Sequence, residues 1–342
     1  MEDIRALTYY ELEKVILENG EKKFRAKQVY EWLWKKSVGS IEEMTNLPKT
    51  LREKLKKSYA VYSVSVADYK KSKDRTIKLL FRLYDGVIVE GVLIPSGKRV
   101  TACISTQAGC KLKCEFCATG RMKFQRNLAS GEVYDQVVLM NRHAEDNYGH
   151  GLSNIVLMGM GEPLLNYENV VSAIDKLSGR DGLGISPRRI TLSTAGIIEG
   201  IKRLADEGLK INLAISLHTA DPVKRDKLMP VNRTNTLDEL AKSIIYFHKK
   251  TGLRVTYEYL LLKDVNDDLE DAQKLAAFCK ISPCKINLIE YNTDEEIPFE
   301  RSEKEKTEKF KDILEAKNMI VNIRRSRGGD VHAACGQLAN RE

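Results

Sequence analysis

From residue 100 onward, short runs rich in aliphatic and β-branched residues alternate with stretches of helical periodicity. Six such runs are present, at residues 102–105, 154–158, 189–192, 213–216, 255–262 and 285–289. Strands that alternate with helices pair in parallel, because each helix returns the chain to the edge where the preceding strand began. The sequence therefore predicts an α/β fold, a partial (β/α)6 parallel barrel with functional groups at the C-terminal ends of its strands.

The first hundred residues have a different periodicity, which divides the chain into three expected parts. Residues 1–60 carry apolar and charged positions at helical spacing and predict a small helical accessory domain. RNA binding by this domain is expected only from the aromatic and basic residues that interleave at 24–36. Asp85-Gly86 lies between two apolar runs and is typical of a two-residue hairpin turn. We therefore expect residues 61–97 to form a β-hairpin linker and residues 98–342 to form the core.

The composition limits the class of protein. A chain of 342 residues with 42% hydrophobic content can bury a large core and is too apolar for a disordered protein. No apolar stretch is long enough to span a bilayer, and the seven cysteines occur without a secretory signal, so we expect a reducing, cytoplasmic location and no membrane partner. The net charge of +8 favours a polyanionic partner, although solvated lysine faces alone would also produce it.

Three cysteines lie on one polar loop, with three and then two residues between them: Cys110, Cys114 and Cys117. Cys₄ zinc sites usually pair two C-x₂-C knuckles across a long gap. Three thiolates on one tight loop instead suit a [4Fe–4S] cluster with one iron left unligated by protein. The alternative is three reduced structural thiols, but the charged residues between them are typical of a loop and not of a core. We expect this loop to hold one cluster per chain.

Further polar residues come where the later predicted strands end. Residues 158–166 read MGMGEPLLN, in which Gly161 would let the backbone approach a ligand closely and Glu162 supplies a carboxylate. Corresponding positions along the chain hold Ser193, the run Ser216-Leu217-His218, and Asn292. Each of these alone is more often a cap or turn residue. Their repetition at the same end of successive strands favours a ring around one nucleotide-like cofactor.

Two further cysteines stand apart from the loop. Cys103 precedes it by seven residues, and Cys335 lies between two small residues near the end of the chain. A lone cysteine is usually a small buried hydrophobe. Here the small flanking residues would leave the Cys335 thiol accessible, and the basic run at residues 324–327 would lower its pKa or hold phosphate. Cys279 and Cys284 match no known site, and we expect them to be structural.

The cysteine loop resembles the signature of the radical-SAM superfamily, and four segments together resemble the RlmN family of bacterial RNA methyltransferases within it. These segments are residues 107–117, 159–166, 216–218 and 330–338, and the resemblance covers nearly the whole chain. The related Cfr enzymes share the cluster and both lone cysteines, whereas PLLN at residues 163–166 and Arg327-Gly328 follow the RlmN pattern. His332 departs from the family, which commonly has Asp there, and we expect it to tune the charge beside Cys335.

The resemblance implies methylation of carbon 2 of an adenine in 23S rRNA, at the peptidyl-transferase centre, and of an adenine in the tRNA anticodon loop. It implies two S-adenosyl-L-methionine molecules per turnover, one of which methylates Cys335 while the other is cleaved reductively at the cluster. The methylene radical then formed on Cys335 would add to the adenine, and Cys103 would release the adduct and leave a transient disulfide. Gly161 and the polar residues predicted at the strand ends would bind the cofactor. A flavodoxin or ferredoxin would supply electrons to a monomeric enzyme.

The reaction also needs a base for the proton on carbon 2. Glu90 is the only charged residue within residues 87–94, and a carboxylate in an apolar strand tends to have a raised pKa, which suits proton transfer near neutral pH. Its position relative to Cys103 matches the acid that has this role in the family. The alternative is an outward-facing strand glutamate, because alternation alone does not fix the face.

Three other functions remain open from the sequence. A Cfr-like enzyme would methylate carbon 8 of the same rRNA adenine. A radical-SAM enzyme for a small substrate would have a closed pocket and no use for residues 24–36, where aromatic and basic residues interleave. That pattern can contact RNA or can be an ordinary aromatic core with a solvated face. A non-catalytic RNA-binding or ribosome-assembly protein would not need the cysteine loop.

Overall fold

The computed structural model describes residues 1–294 and 296–340 and is built on one ten-stranded sheet. Its strands lie side by side in chain order: β1 (Ser65–Lys71), β2 (Ile77–Arg82), β3 (Ile88–Ser96), β4 (Arg99–Cys103), β5 (Asn154–Leu157), β6 (Ile190–Thr194), β7 (Asn212–Ser216), β8 (Val255–Leu261), β9 (Cys284–Glu290) and β10 (Val321–Arg324). The outer strands are β1 and β10.

Each strand from β4 to β10 pairs in parallel with the next, which confirms the predicted α/β fold with a parallel sheet. The six predicted strands are β4 to β9, with ends shifted by up to three residues. The sequence analysis missed β10. This strand has four residues, and two of them, Asn322 and Arg324, are polar, so it lacks the apolar run that marks the other strands.

Helices connect the parallel strands and cover the sheet. They span Ser130–Tyr148, Tyr167–Ser178, Ile198–Glu207, Pro222–Leu228, Leu237–Thr251, Leu269–Cys279 and Lys304–Glu315, with one short turn at Ala118–Arg121. Helix Ile198–Glu207 buries Ile201, Leu204 and Ala205, which are three or four residues apart and therefore share the face that meets the core. No helix in the described ranges is long and apolar enough to cross a membrane.

The predicted hairpin is present and belongs to the main sheet. Gly86 has φ +85°, as the tight turn between β2 and β3 requires, and the two strands pair with Leu80 opposite Glu90. Strand β3 also pairs in antiparallel fashion with β4, so that Val92 lies opposite Cys103. The hairpin and β1 thus extend the parallel sheet by three strands, and the Glu90 strand lies beside the Cys103 strand.

The N-terminal residues form three helices, Tyr9–Glu18, Phe24–Trp34 and Lys49–Ser58, closed by a short parallel strand pair, Glu2–Asp3 with Tyr59–Ala60. Their shared core is continuous with that of the sheet domain. The ring of Trp34 is buried, with its centroid 5.2 Å from that of Tyr134. Phe24 is instead exposed, and Lys36 Nζ lies 3.4 Å from the ring centroid of half-buried Trp32. The aromatic-basic helix therefore has both a core face and a cation-bearing surface.

A buried ion pair attaches this N-terminal unit to the sheet domain. Arg5 Nη1 lies 2.7 Å from Asp135 Oδ1 on helix Ser130–Tyr148, and the other oxygen of Asp135 accepts a hydrogen bond from the Val64 N–H at 3.0 Å. Gly131 makes room for the guanidinium, since a Cβ there would lie 2.6 Å from Arg5 Cζ. Burial raises the pKa of Asp135, and the Arg5 charge opposes that rise.

We predict that Arg5→Met lowers the free energy of unfolding by about 3–5 kcal/mol, because it leaves the Asp135 carboxylate buried without its cation. Urea denaturation followed by circular dichroism measures this change. Lys49→Met is the matched control, since Lys49 pairs with Glu53 at 3.9 Å on the surface and should matter far less. Equal effects of the two substitutions would contradict the assigned role of Arg5.

Candidate active site

The C-terminal ends of the parallel strands open into one cavity of about 630 Å³. Most of the residues predicted to form a site line it: Cys103, Cys110, Cys114, Cys117, Gly161, Glu162, Ser193, Ser216, His218, Asn292 and Cys335. Its volume lies in the range of cofactor sites. Leu217 and Glu90 are not among the lining residues.

The cysteine loop is folded tightly at the mouth of this cavity. Gly109 has φ +78°, and a Cβ there would lie 2.5 Å from the carbonyl oxygen of Lys123. The Cys117 N–H donates to the Cys114 carbonyl at 3.1 Å, which closes the turn just before helix Ala118–Arg121. A Cβ on Gly120 would lie 2.9 Å from the same Cys114 oxygen. The loop therefore needs glycine at both ends to present its three thiols to one space.

The electrostatics of the three thiols fit a cationic iron–sulfur cluster. Burial raises the pKa of Cys110 to about 12 and that of Cys114 well above its usual value, and the charges of the neighbouring loop cysteines add to both shifts. Bound iron would remove this repulsion and favour the thiolates. No group of three or more His, Cys, Asp or Glu side chains within the described residues can hold a single metal ion.

Glu162 follows β5 and is fixed by two backbone donors, one from the turn that it begins and one from the residue after β6. Its carboxylate accepts hydrogen bonds from the Ala195 N–H at 2.7 Å and the Leu164 N–H at 3.0 Å. Burial raises its pKa to about 7. Gly161 has φ +99°, and a Cβ there would lie 2.4 Å from Gln107 Cβ, so glycine is required beside the carboxylate. The site thus presents an oriented acceptor for a cationic group such as an amine.

Polar atoms on the neighbouring strands face the same space. Ser193 Oγ and Ser216 Oγ, from β6 and β7, lie 3.3 Å apart. The Oδ1 atom of Asn292 accepts a hydrogen bond from the Ser326 hydroxyl, while its buried Nδ2 has no hydrogen-bond partner among the described residues. A buried donor without a partner is costly, so a ligand with acceptor atoms would satisfy it.

The run 216–218 contributes two of its three side chains to the cavity. The Leu260 N–H donates to His218 Nδ1 at 3.0 Å, which leaves the ring proton on Nε2. Burial, together with the charge of Arg225, lowers the pKa of His218 to about 3, so the ring is neutral. The Leu217 side chain lies in the hydrophobic core, so a contact of Leu217 with the cofactor would come from its backbone and stays a prediction. Successive side chains in extended chain point to opposite faces, which turns Leu217 away from the cavity.

Cys103 and Cys335 share the cavity with a charged pair. Arg324 Nη1, at the end of β10, lies 3.2 Å from Oε2 of Glu258, in the middle of β8. Burial, with the charge of Cys335, raises the pKa of Cys103 to about 12. Desolvation by the surrounding protein likewise raises the pKa of Cys335 to about 11, although the residue is exposed and Arg324 acts in the opposite direction. The expectation of a lowered pKa at Cys335 is therefore wrong, because desolvation outweighs the effect of the arginine. Glu258 was missed by the sequence analysis.

Cys335 belongs to a terminal strap, residues 328–340, that is bound on both sides of the thiol. Upstream, the Ser72 hydroxyl donates to Asp330 Oδ1 at 2.6 Å. Downstream, the Ala118 N–H donates to the Gly336 carbonyl at 2.8 Å, which joins the strap to the helix after the cysteine loop. His332 is exposed, and the main charges acting on Cys335 come from Arg324, Glu258 and Cys117.

Glu90 is fully buried next to the cavity, and the outward-facing alternative is wrong. Its Oε1 atom lies 3.0 Å from Lys78 Nζ, and Oε2 accepts a hydrogen bond from the Ala339 N–H of the terminal strap at 2.9 Å. Val92, two residues further along the same face of β3, lines the cavity. Glu90 thus lies just beneath the strap.

The remaining two cysteines lie away from the cavity lining. Cys284 Sγ is 3.6 Å from the carbonyl oxygen of Cys279, at the start of β9. The seven cysteines, all within the described residues, are free thiols. A structural role for Cys279 and Cys284 stays a prediction.

Comparisons with known proteins agree with this site. Residues 104–276 match the model of the radical SAM superfamily, the class of protein that the parallel sheet and the cysteine loop define. Residues 3–61 match the model described as the ribosomal RNA large subunit methyltransferase N-terminal domain.

Relatives match along the whole chain. The chain is 53% identical over 339 residues to the "Probable dual-specificity RNA methyltransferase RlmN" of Cytophaga hutchinsonii, with 99% of this chain and 93% of that protein covered. A protein of the same name from Christiangramia forsetii is 49% identical, with 99% and 96% covered. The crystal structure of a radical SAM methyltransferase from Sphaerobacter thermophilus has a TM-score of 0.91 and 39% identity, and 99% of each chain is covered. This chain belongs to the RlmN family, which confirms the resemblance seen in the sequence.

We predict that replacing Cys110, Cys114 or Cys117 by Ser removes most of the iron and sulfide from protein purified without oxygen, because each thiol would bind a different iron. Elemental analysis and the visible absorption of the cluster measure the loss. Cys284→Ser is the control and should retain the metal content of the unaltered protein. A full cluster in any one loop variant would exclude that cysteine as a ligand.

We also predict that Glu162→Gln weakens the binding of S-adenosyl-L-methionine to cluster-loaded protein at least tenfold, because the carboxylate would bind the amino group of the cofactor. The ionised form is needed, so the affinity of the unaltered protein should fall as the pH drops below about 7, whereas that of the variant should change little. Equilibrium dialysis at several pH values tests this. Identical affinity and pH dependence for both proteins would show that Glu162 does not bind the cofactor.

Proposed function

We propose that this chain is an RNA methyltransferase that modifies carbon 2 of an adenine in 23S rRNA and carbon 2 of an adenine in the tRNA anticodon loop. The observation that carries the proposal is the presence of Cys103 and Cys335 in the same cavity as the three loop cysteines. The names of the relatives, dual-specificity RNA methyltransferases, support RNA as the substrate.

The chemistry explains why two extra thiols are useful. Carbon 2 of adenine is electron-poor, and the methyl group of S-adenosyl-L-methionine is electrophilic, so direct polar transfer has no nucleophile. A [4Fe–4S] cluster, held by Cys110, Cys114 and Cys117, would supply the electron that cleaves a second cofactor molecule to a 5′-deoxyadenosyl radical. The protein must therefore hold the methyl group on a carrier of its own while that radical is made.

Cys335 suits the carrier role because its thiol is reachable on the terminal strap beside the cysteine loop. Methylation requires the thiolate, and the nearby Arg324 guanidinium favours that form against the effect of burial.

The 5′-deoxyadenosyl radical would remove one hydrogen atom from the S-methyl group of Cys335, and the resulting methylene carbon would bond to carbon 2 of the adenine. Glu90 would take the carbon 2 proton, and the adduct would give up its unpaired electron to an oxidant such as the oxidised cluster. Cys103 Sγ would then attack Cys335 Sγ, so that the bond between Cys335 Sγ and the methylene carbon breaks and that carbon takes a proton to complete the methyl group on the RNA. The disulfide that remains must be reduced before the next turnover.

The mouth of the cavity supports a large polyanionic substrate over a small one. Arg99, Arg325 and Arg327 line it and are exposed. Such arginines suit RNA phosphates. The same two thiols would also serve methylation of carbon 8, which is the alternative function. The PLLN run at residues 163–166 resembles the RlmN family and therefore favours carbon 2.

The proposal also covers the domains, the location and the electron donor of the enzyme. Residues 1–60 would form the helical RNA-binding domain, residues 61–97 the hairpin linker with Glu90, and residues 98–342 the radical-SAM core. We expect a cytoplasmic monomer that uses two S-adenosyl-L-methionine molecules per turnover. Its electrons would come from a flavodoxin or ferredoxin.

We predict opposite fates for the RNA in variants of the two lone cysteines. Cys103→Ala should trap a covalent protein–RNA species, since the methyl carrier still forms but nothing releases it. Cys335→Ala should give neither product nor adduct. A denaturing gel, with and without nuclease, detects the species by its retarded, nuclease-sensitive band.

Cys279→Ala serves as the matched control, because this thiol lies away from the cavity, and it should turn over normally without an adduct. Normal turnover by Cys103→Ala, or an adduct with Cys335→Ala, would overturn the assigned roles.

A further inference from the structure

Lys78 and Glu90 form an ion pair that is closed off from solvent. Lys78 Nζ lies 3.0 Å from Glu90 Oε1, and the two side chains are 2% and 0% exposed. Leu80 pairs directly with Glu90 across β2 and β3, so Lys78, two residues along β2, reaches Glu90 diagonally on the same face of the sheet. The sequence analysis did not identify Lys78 as a candidate functional residue.

Burial of this ion pair costs free energy, and a contribution to the stability of the fold does not explain why the pair is present. Two charges lose their hydration on burial, and well-packed apolar side chains of similar volume are often as stabilising or more so. The same face of β3 continues to Val92, which is apolar and lines the cavity. A charged pair within an otherwise apolar face, next to a reaction cavity, therefore points to a chemical use.

The two oxygens of Glu90 have different partners. Oε1 is held by Lys78, from the rigid sheet, whereas Oε2 accepts the N–H of Ala339 from the same strap that carries Cys335. A shift of the strap when substrate enters would free Oε2 and leave Oε1 attached to Lys78. The lysine would then keep the carboxylate in place at the moment when it faces the cavity.

We propose that Lys78 is a positioning residue that holds Oε1 of Glu90 so that the other oxygen, Oε2, can take the carbon 2 proton. This rests on the proposed function of Glu90. In the step concerned, the C2–H bond breaks, its electron pair stays on the adenine ring, and the proton bonds to Oε2. Without the lysine, the buried carboxylate loses the charged partner that fixes its orientation, and Oε2 is no longer directed at the substrate.

The test uses full-length, cluster-loaded protein with an rRNA fragment and compares Lys78→Met, Lys78→Arg and Glu90→Gln. Methylation of Cys335, read from the mass of the intact protein, does not involve the carbon 2 proton that Glu90 takes and should be normal in Lys78→Met. Formation of methylated RNA should fall about a hundredfold, the usual contribution of a general base. Lys78→Arg, which keeps the charge, should restore most of this rate. Lys71→Met, an exposed lysine on β1, is the control and should act like the unaltered protein.

The double variant Lys78→Met/Glu90→Gln separates positioning from a merely structural effect. If Lys78 acts through Glu90, the double variant should be no slower than Glu90→Gln alone. Losses that multiply, or a normal rate in Lys78→Met, would overturn the inference while leaving the role of Glu90 intact. Normal turnover by Glu90→Gln would instead remove the proposed base and this inference with it.

Should Lys78→Met fail to fold, Lys78→Gln with RNA deuterated at carbon 2 decides the question. An uncharged amide in place of the ammonium group should slow proton removal and produce an isotope effect larger than that of the unaltered protein. An unchanged isotope effect would overturn the inference.

Discussion

The parallel pairing of β4 to β10 is the constraint on which the site depends. Parallel strands place their C-terminal ends at one edge, so Cys103 on β4, Glu162 after β5 and Arg324 on β10 reach the same cavity although they are far apart in the chain. The antiparallel hairpin adds Glu90 from the neighbouring strand. The terminal strap then brings Cys335 back to the cysteine loop through a backbone hydrogen bond from Ala118 to Gly336.

Burial is the main force that sets the protonation of the groups in this cavity. It raises the pKa of the thiols of Cys103 and Cys335 and of the Glu162 carboxyl, and it lowers that of His218. In the free protein the two thiols and the His218 ring are therefore largely neutral near pH 7, and Glu162 is about half ionised. Cationic groups near the site favour the thiolate and carboxylate forms. Arg324 is one such group, and bound iron and the sulfonium and amino groups of the cofactor would be others. Reactivity would thus depend on loading of the site.

The sequence alone predicted the features that have a local signature. Apolar runs located six of the parallel strands, Asp85-Gly86 located the hairpin, and cysteine spacing located the loop. The missed features depend on contacts that no local pattern specifies. Strand β10 is short and half polar, and the partnership of Lys78 with Glu90 forms only when two strands pair in a given register. Glu258 is an exception among the missed features, because its sequence pattern is the one that identified Glu90: a single charged residue within an apolar strand. The raised pKa of Cys335 results from desolvation in the folded protein. The sequence shows only the neighbouring arginines, which favour a lower pKa.

The central claim is that the enclosed thiols and Glu90 direct a methyl group to carbon 2 of adenine in RNA. Its most direct test is mass spectrometry of nucleosides from unmodified 23S rRNA and tRNA after incubation with cluster-loaded protein, S-adenosyl-L-methionine and a reductant. The account predicts 2-methyladenosine in both RNAs, with the signal lost when Cys335 is replaced by Ala. The appearance of 8-methyladenosine instead, or of no methylated adenosine with a fully loaded enzyme, would contradict it.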